Sequence, residues 1–205
     1  MQPRFALVAL ALSAACGPAR RPLELANGHP EGHPLRAGQD VFLRETWGTE
    51  VLGDWPPVDF VLALMEDEPG VFGDQLARFG LVPDPGDDLP VGLKRGSADP
   101  TRLHETCALC HVARLPDGRL WAGAPNGALD LARLRVELDR RWVAAGNPPM
   151  MSPLEVAKAA LLGPGRTGAE SSRHPRVVPA DFPPYFALGA RTHLNYMGTG
   201  QDVRT

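Results

Sequence analysis

Apolar residues recur at three- and four-residue spacing in several short stretches of the chain, a pattern that predicts amphipathic helices. One such pattern begins at Gly38. Two others cover residues 59–66 and 71–79, and Gly80 is placed to end the second of them. A longer stretch, residues 131–145, carries apolar side chains along one face. The pattern therefore predicts a chain built from short helices.

The helix with the most complete local signal begins at Pro153. Ser152 and Glu155 have the spacing of a capping box, in which each side chain bonds the backbone N–H of the other residue. Proline is also favoured at the first helical position, because its missing N–H would have no partner there. These signals predict a helix from Pro153 to Leu162.

Proline and glycine interrupt most other segments, with 22 of each among 205 residues. Residues 81–100 are predicted to be loop, Leu115–Gly118 a turn of the Pro-Asp-Gly type, and residues 166–205 mostly irregular. Residues 101–111 are predicted to be a helix that starts near Thr101 or Asp99. The expected fold class is mainly α, with long Pro/Gly-rich loops.

The N-terminus carries the pattern of a secretory signal. Arg4 precedes an apolar run that is too short to span a bilayer as a helix, and small residues follow it. Cys16 stands where a bacterial lipoprotein has its lipidated cysteine, and the residues around it resemble a lipobox. Residues 1–15 are thus predicted to be a removed signal peptide, and Cys16 to be lipidated. Soluble periplasmic secretion is the alternative.

The segment that follows Cys16 is rich in proline, glycine and arginine, so residues 16–37 are predicted to be a flexible tether. By resemblance to lipoproteins, Gly17 favours an outer-membrane protein that faces the periplasm. The chain has 24 acidic and 21 basic residues, and this balance argues against a nucleic-acid partner.

The residue pattern with the most specific chemistry is Cys107-Ala108-Leu109-Cys110-His111, here called the CxxCH motif. This spacing is that of c-type haem attachment, in which two thiols bind the porphyrin and the histidine binds the iron. Cys107 and Cys110 are therefore predicted to hold one covalent haem c, with His111 as the proximal iron ligand. With Cys16 assigned to lipid, no cysteine remains for a disulfide.

Two other readings of the cysteine pair remain open. A redox dithiol of the thioredoxin type needs a βαβ setting, and a zinc site needs further ligands. His104, His174 and His193 are the histidines that would complete such a zinc site. His104 lies just before the motif, where a structural role is expected.

The sixth iron ligand separates two kinds of function, since methionine gives a closed electron carrier and an open position admits peroxide or oxygen. Met151 is the preferred candidate, because it lies in a Pro-rich loop directly before a capped helix. Met150, Met197 and His193 are the alternatives. An open sixth position is the remaining one.

Three segments, Leu89–Leu93, Thr106–His111 and Asp181–Phe186, together resemble the haem-bearing N-terminal half of dihaem cytochrome c peroxidases and rubber-oxygenase-like proteins. The resemblance implies a cytochrome c-like helical domain around one covalent haem, over residues 38–205. That group carries two CxxCH motifs, whereas this chain carries one. The domain is therefore expected to be either a monohaem relative adapted to electron transfer or truncated relative to its dihaem relatives.

The favoured function is single-electron transfer between periplasmic redox partner proteins, by a cytochrome that a lipid anchor holds at the membrane. The alternative is a peroxidase- or oxygenase-like haem domain with an open distal site. Such chemistry needs a polar distal side chain, and the candidates are Arg166, Arg191 and His193. The lone motif favours the electron carrier over a complete peroxidase.

Overall fold

Six α-helices and three two-stranded antiparallel sheets form the fold of the residues that the computed structural model describes, namely 21–45, 55–167 and 180–181. The helices are α1 (Arg36–Arg44), α2 (Val58–Asp67), α3 (Pro69–Leu76), α4 (Ala108–His111), α5 (Leu131–Ala144) and α6 (Pro153–Ala159). The strand pairs are β1 (Leu93–Arg95) with β2 (Leu103–Glu105), β3 (Val112–Arg114) with β4 (Leu120–Ala122), and β5 (Arg166–Thr167) with β6 (Ala180–Asp181). The fold is mixed α/β, so the expectation of a mainly α, cytochrome c-like fold is wrong.

The helices with the strongest sequence signals form close to their predicted positions. α2 and α5 match the two apolar stretches that predicted them. At the start of α6, the Ser152 hydroxyl oxygen accepts a bond from the Glu155 N–H at 3.3 Å, and Glu155 Oε2 accepts from the Ser152 N–H at 2.7 Å. The capping box is thus confirmed. α6 ends at Ala159, earlier than the predicted Leu162.

The stretch predicted as one helix over residues 71–79 is broken. Gly73 is extended, and the three residues after it have φ between +48° and +65°, so the chain turns before a 3-10 segment at Ala77–Phe79. The turn directs the Gln75 amide to the following loop, where Nε2 donates to the carbonyls of Asp84 (3.0 Å) and Asp87 (2.7 Å). These distant bonds stabilise a backbone shape that apolar spacing does not encode.

Residues 101–111 do not form the predicted helix. β2 pairs with β1 as a hairpin, and only the last four residues of the stretch, α4, are helical. Asp99 closes the hairpin turn, since its Oδ1 accepts bonds from the N–H (3.0 Å) and the hydroxyl (2.6 Å) of Thr101. An aspartate side chain bonds the backbone in this way in turns as well as at helix starts, so the same signal fits both structures.

A second hairpin follows α4 directly, formed by β3 and β4. The Leu115 N–H donates to the Arg119 carbonyl at 2.8 Å, and the Gly118 N–H donates to the Leu115 carbonyl at 2.8 Å. The predicted Pro-Asp-Gly turn is therefore confirmed. Both ends of the CxxCH motif thus adjoin a strand of a hairpin.

The segment before α1 lies along β4. The Ala26 N–H donates to the Leu120 carbonyl at 2.7 Å. The Asn27 side chain donates to the Ala122 carbonyl at 2.9 Å and accepts from the Ala122 N–H at 3.0 Å. Within the described residues, no helix has both the length and the apolar character that a membrane crossing requires.

Two hydrophobic clusters meet at α4. The larger one joins side chains of α2, α3 and α5 to Leu109, which is 2% exposed. The smaller one contains Val82, Val91, Ala108 and Val112, with Leu43 among the residues packed against it. The short helix is therefore wedged between two apolar layers, and burial of its Ala108–Leu109 side helps to hold it in place.

Gly92, directly before β1, brings its backbone close to that of α4. Its φ is +90°, and a Cβ atom at this position would lie 2.2 Å from both the Cα and the N of Leu109. The Gly92 carbonyl accepts a bond from the Thr106 N–H at 2.8 Å. A residue with a side chain would meet both a left-handed backbone and a steric clash here.

Gly92→Ala is expected to lower the free energy of unfolding by about 3 kcal/mol, since it adds overpacking to backbone strain. Gly118→Ala is the matched control, because Gly118 has a similar φ of +84° but open space where the Cβ would lie. The control should cost about 1 kcal/mol. Urea unfolding followed by circular dichroism measures both, and equal losses would contradict the steric role of Gly92.

Candidate functional site

The three chemically reactive side chains of the CxxCH motif lie on one side of a single helical turn. Cys107 precedes α4 with helical dihedral angles (φ −56°, ψ −27°), and Cys110 and His111 end the helix. Residues three and four positions apart share a helix face, so the two thiols and the imidazole are neighbours. Leu109 belongs to the larger hydrophobic cluster, and Cys110 packs against its edge.

Thr106 fixes the start of α4. Its hydroxyl donates to the Leu43 carbonyl of α1 at 3.2 Å and accepts from the Ala108 N–H at 3.3 Å. Its carbonyl accepts from the Leu109 N–H at 3.1 Å. Thr106 is 4% exposed, so these bonds are shielded from competing water.

The loop after β4 fixes the other end of α4. The Cys110 carbonyl accepts from the Asn126 N–H at 2.9 Å, and the His111 carbonyl accepts from the Gly123 N–H at 2.7 Å. The buried side chain of Asn126 donates to the Gly80 carbonyl at 2.9 Å. Carbonyls that a helix end would leave unpaired are therefore satisfied, and the motif is tied to the turn after α3.

Both cysteines are free thiols, and both are partly buried. Burial raises the pKa of the Cys107 thiol. Burial raises the pKa of Cys110 to about 12, helped by the charges of Glu105 and Cys107. A dithiol oxidoreductase needs a thiolate of lowered pKa, so these surroundings disfavour a thioredoxin-like role.

His111 is 7% exposed, and burial lowers its pKa to about 4. The imidazole is therefore neutral at physiological pH. Neutral imidazole is the form that binds a metal through a ring nitrogen. Within the described residues, no group of three or more His, Cys, Asp or Glu side chains is arranged to hold a metal ion.

A polar contact involving Glu105 and Trp55 lies near Cys110. The Trp55 Nε1–H donates to Glu105 Oε1 at 2.8 Å, and the Arg135 guanidinium lies 6.0 Å from the Trp55 ring centroid. Burial raises the pKa of Glu105, against the lowering effects of the Trp55 bond and the Arg135 charge. Sequence reasoning did not identify this contact, because nothing local links Trp55 to Glu105.

The Met150–Met151 loop lies on α5. The buried carboxylate of Asp139 accepts the N–H groups of Met150 (2.6 Å) and Met151 (3.1 Å). The Met151 residue is 7% exposed, and both methionines line a shallow depression that Trp55 also lines. Trp55 thus links this loop to Glu105. Met197, His193, Arg191 and Cys16 lie outside the described residues.

Two other residues that the sequence suggested for a metal or distal site lie on strands, His104 on β2 and Arg166 on β5. His104 is 9% exposed on β2, against Gly96, where a Cβ atom would lie 2.5 Å from the His104 Nε2. Arg166 is exposed in β5. Gly92 and Asn126, which hold α4, were not recognised as site residues. Gly92 does fall within Leu89–Leu93, one of the segments quoted for the cytochrome resemblance.

In comparisons with known proteins, no protein-family model, no curated protein and no solved structure matches this chain.

The buried neutral state of His111 predicts an acid-sensitive stability. Between pH 6.5 and about 4 the unfolded chain takes up a proton on this residue and the folded chain does not, so stability falls as pH falls through this window. In haem-free protein the loss is on the order of 3 kcal/mol. In His111→Gln, the free energy of unfolding should change less with pH over this window, as measured by urea unfolding at several pH values. An unchanged pH dependence would contradict the buried neutral state of His111.

Proposed function

We propose that the chain binds one haem c covalently through Cys107 and Cys110, with His111 as the proximal iron ligand, and transfers single electrons. One observation carries the proposal: two free thiols and an imidazole lie on the same side of a helical turn that is held at both ends. When bound, haem c supplies an iron that changes its charge by one electron.

The protonation states of the motif suit the attachment chemistry. Each thiol would add across a vinyl group, so that its S–H bond breaks, a C–S bond forms and the hydrogen passes to the neighbouring carbon. No electron is gained or lost in this addition. Because burial raises their pKa values, Cys107 and Cys110 keep the S–H protons that the addition transfers. Burial lowers the pKa of His111, so its neutral ring keeps a nitrogen lone pair for the iron.

Room for the porphyrin has to come from side-chain movement beside the motif. Neither of the two clefts described in this structure is lined by Cys107, Cys110 or His111. Cys110 packs partly against the larger hydrophobic cluster. Apolar side chains can separate and repack around an apolar ring, whereas the hydrogen-bonded ends of α4 stay in place.

Met151 is the sixth ligand that the structure supports best. Its N–H donates to the Asp139 carboxylate, and it lies one residue before Ser152, the N-cap of α6. The shared neighbour Trp55 brings the Met150–Met151 loop toward the Cys110 side of the motif. Met150, Met197 and His193 remain the alternatives.

The proposed location rests on the N-terminal sequence. Cys16 would carry the lipid of an outer-membrane lipoprotein that faces the periplasm, and the partners would be redox proteins of that compartment. Haem c is attached outside the cytoplasm, so the signal and the CxxCH motif support the same compartment.

Cys107→Ala combined with Cys110→Ala is expected to abolish covalent haem. The protein is produced with its signal in a bacterium that attaches haem c, and haem is detected by peroxidase-active staining of a denaturing gel. Cys16→Ser is the matched control, since it removes a cysteine outside the motif. It should keep the stain and move the protein from the membrane to the soluble fraction. A stain that persists in the double variant would refute the attachment.

Met151→Ala is expected to remove the methionine-to-iron charge-transfer band of the oxidised protein and to lower the reduction potential, because thioether ligation favours the ferrous state. Met150→Ala is the matched control and should keep the band. Visible and near-infrared spectra with a redox titration test this. An oxidised high-spin spectrum that shifts on adding peroxide would instead support the peroxidase-like alternative.

A further inference from the structure

A cleft that Cys107, Cys110 and His111 do not line lies beside α1. It has a volume of about 580 Å³. Its walls are the segment before α1, one face of α1, and the loop that leads into β1. Binding sites for small organic molecules typically have volumes of about 300–1,000 Å³, so the size suits such a ligand.

The cleft has apolar lining residues that are firmly held. Four apolar side chains line it, and each belongs to the smaller hydrophobic cluster or packs against it: Leu23, Leu25, Leu43 and Val91. The Val91 N–H donates to the Val82 carbonyl at 2.8 Å. The neighbouring Gly92 is locked against Leu109, so this part of the lining is continuous with the support of α4. A preformed apolar surface of this kind suits an apolar ligand body.

The lining of the cleft has more cationic than anionic side chains. Five cationic side chains line the cleft: Arg21, Arg36, Arg44, Lys94 and Arg95. Three carboxylates share the lining, and each is already paired. Asp40 binds Arg36 at 3.0 Å, and Lys94 lies between Asp87 (3.0 Å) and Asp84 (3.6 Å).

Arg21 and Arg44 form no ion pair with any other residue that the structure describes. The whole chain has a net charge of −3, so a lining with more cations than anions departs from the surface average. A guanidinium matches the two oxygens of a carboxylate. The two arginines are therefore available to an anionic ligand.

We propose that this cleft binds an amphipathic organic acid, with its apolar body on the leucine and valine side chains and its carboxylate at Arg44 and Arg21. The site is separate from the CxxCH motif, because Cys107, Cys110 and His111 do not line it. The test of this cleft therefore does not require attached haem.

Isothermal titration calorimetry of the full chain with dodecanoate, below its micelle concentration, tests the proposal. Dodecyltrimethylammonium is the matched probe, since it has the same apolar chain and the opposite charge. We expect saturable binding of dodecanoate, and binding of the cationic probe that is at least about tenfold weaker. Equal binding of the two probes, or no saturable binding of dodecanoate, would overturn the proposal.

Arg44→Gln is expected to weaken dodecanoate binding about tenfold, and Arg21→Gln with Arg44→Gln to weaken it further. Arg140→Gln removes the same charge from an exposed position on α5 and is the control, with no expected change. All three positions are on the surface, so circular dichroism should show folded protein. An unchanged affinity in the double variant would show that the arginines do not recognise the ligand.

Discussion

A helix of one turn is too short to be stable alone, and this constraint governs the structure around the CxxCH motif. Nucleation fixes several dihedral angles for a single hydrogen bond, so α4 exists only because other segments bind it. Gly92 lies against the backbone of Leu109, the Thr106 hydroxyl accepts the Ala108 N–H, and the loop at Asn126 donates N–H groups to the Cys110 and His111 carbonyls. The positions of both thiols and of His111 follow from these contacts.

The surroundings of the motif keep its groups uncharged. Burial raises the pKa of both thiols and lowers that of His111, so each group is neutral near pH 7. Around the proposed haem, an apolar shell of this kind would disfavour the additional charge of ferric iron and so favour a higher reduction potential.

Local signals predicted the parts of the fold that are locally determined. The α6 capping box, the α5 apolar face and the Pro-Asp-Gly turn each involve residues within a few positions of one another. The β1–β2 hairpin was missed because Asp99 bonds Thr101 equally well in a turn and at a helix start. Gly92 and Asn126 were missed as supports of the site because their partners are 17 and 46 residues away in the chain.

The site residues also divide into those that local spacing reveals and those that only the fold brings together. Cys107, Cys110 and His111 are recognisable because their chemistry depends on spacing within one turn. Trp55 and Glu105 are 50 positions apart, and only the fold brings them together. Asp139, which fixes the Met150–Met151 loop, looks in the sequence like any polar residue of an amphipathic helix, although it is 7% exposed. Spacing therefore identified the reactive groups and left their supports unidentified.

The exposed turn between β3 and β4 has a practical value. Pro116, Asp117 and Gly118 are exposed, and a Cβ atom at Gly118 would meet no other atom within 4 Å. The hairpin closes through its own hydrogen bonds, so the tip contributes little to the packing of α4. Exposed tips of this kind accept inserted residues more readily than other parts of a domain. An affinity tag or a surface-immobilisation handle placed there would leave both chain ends and the CxxCH motif untouched.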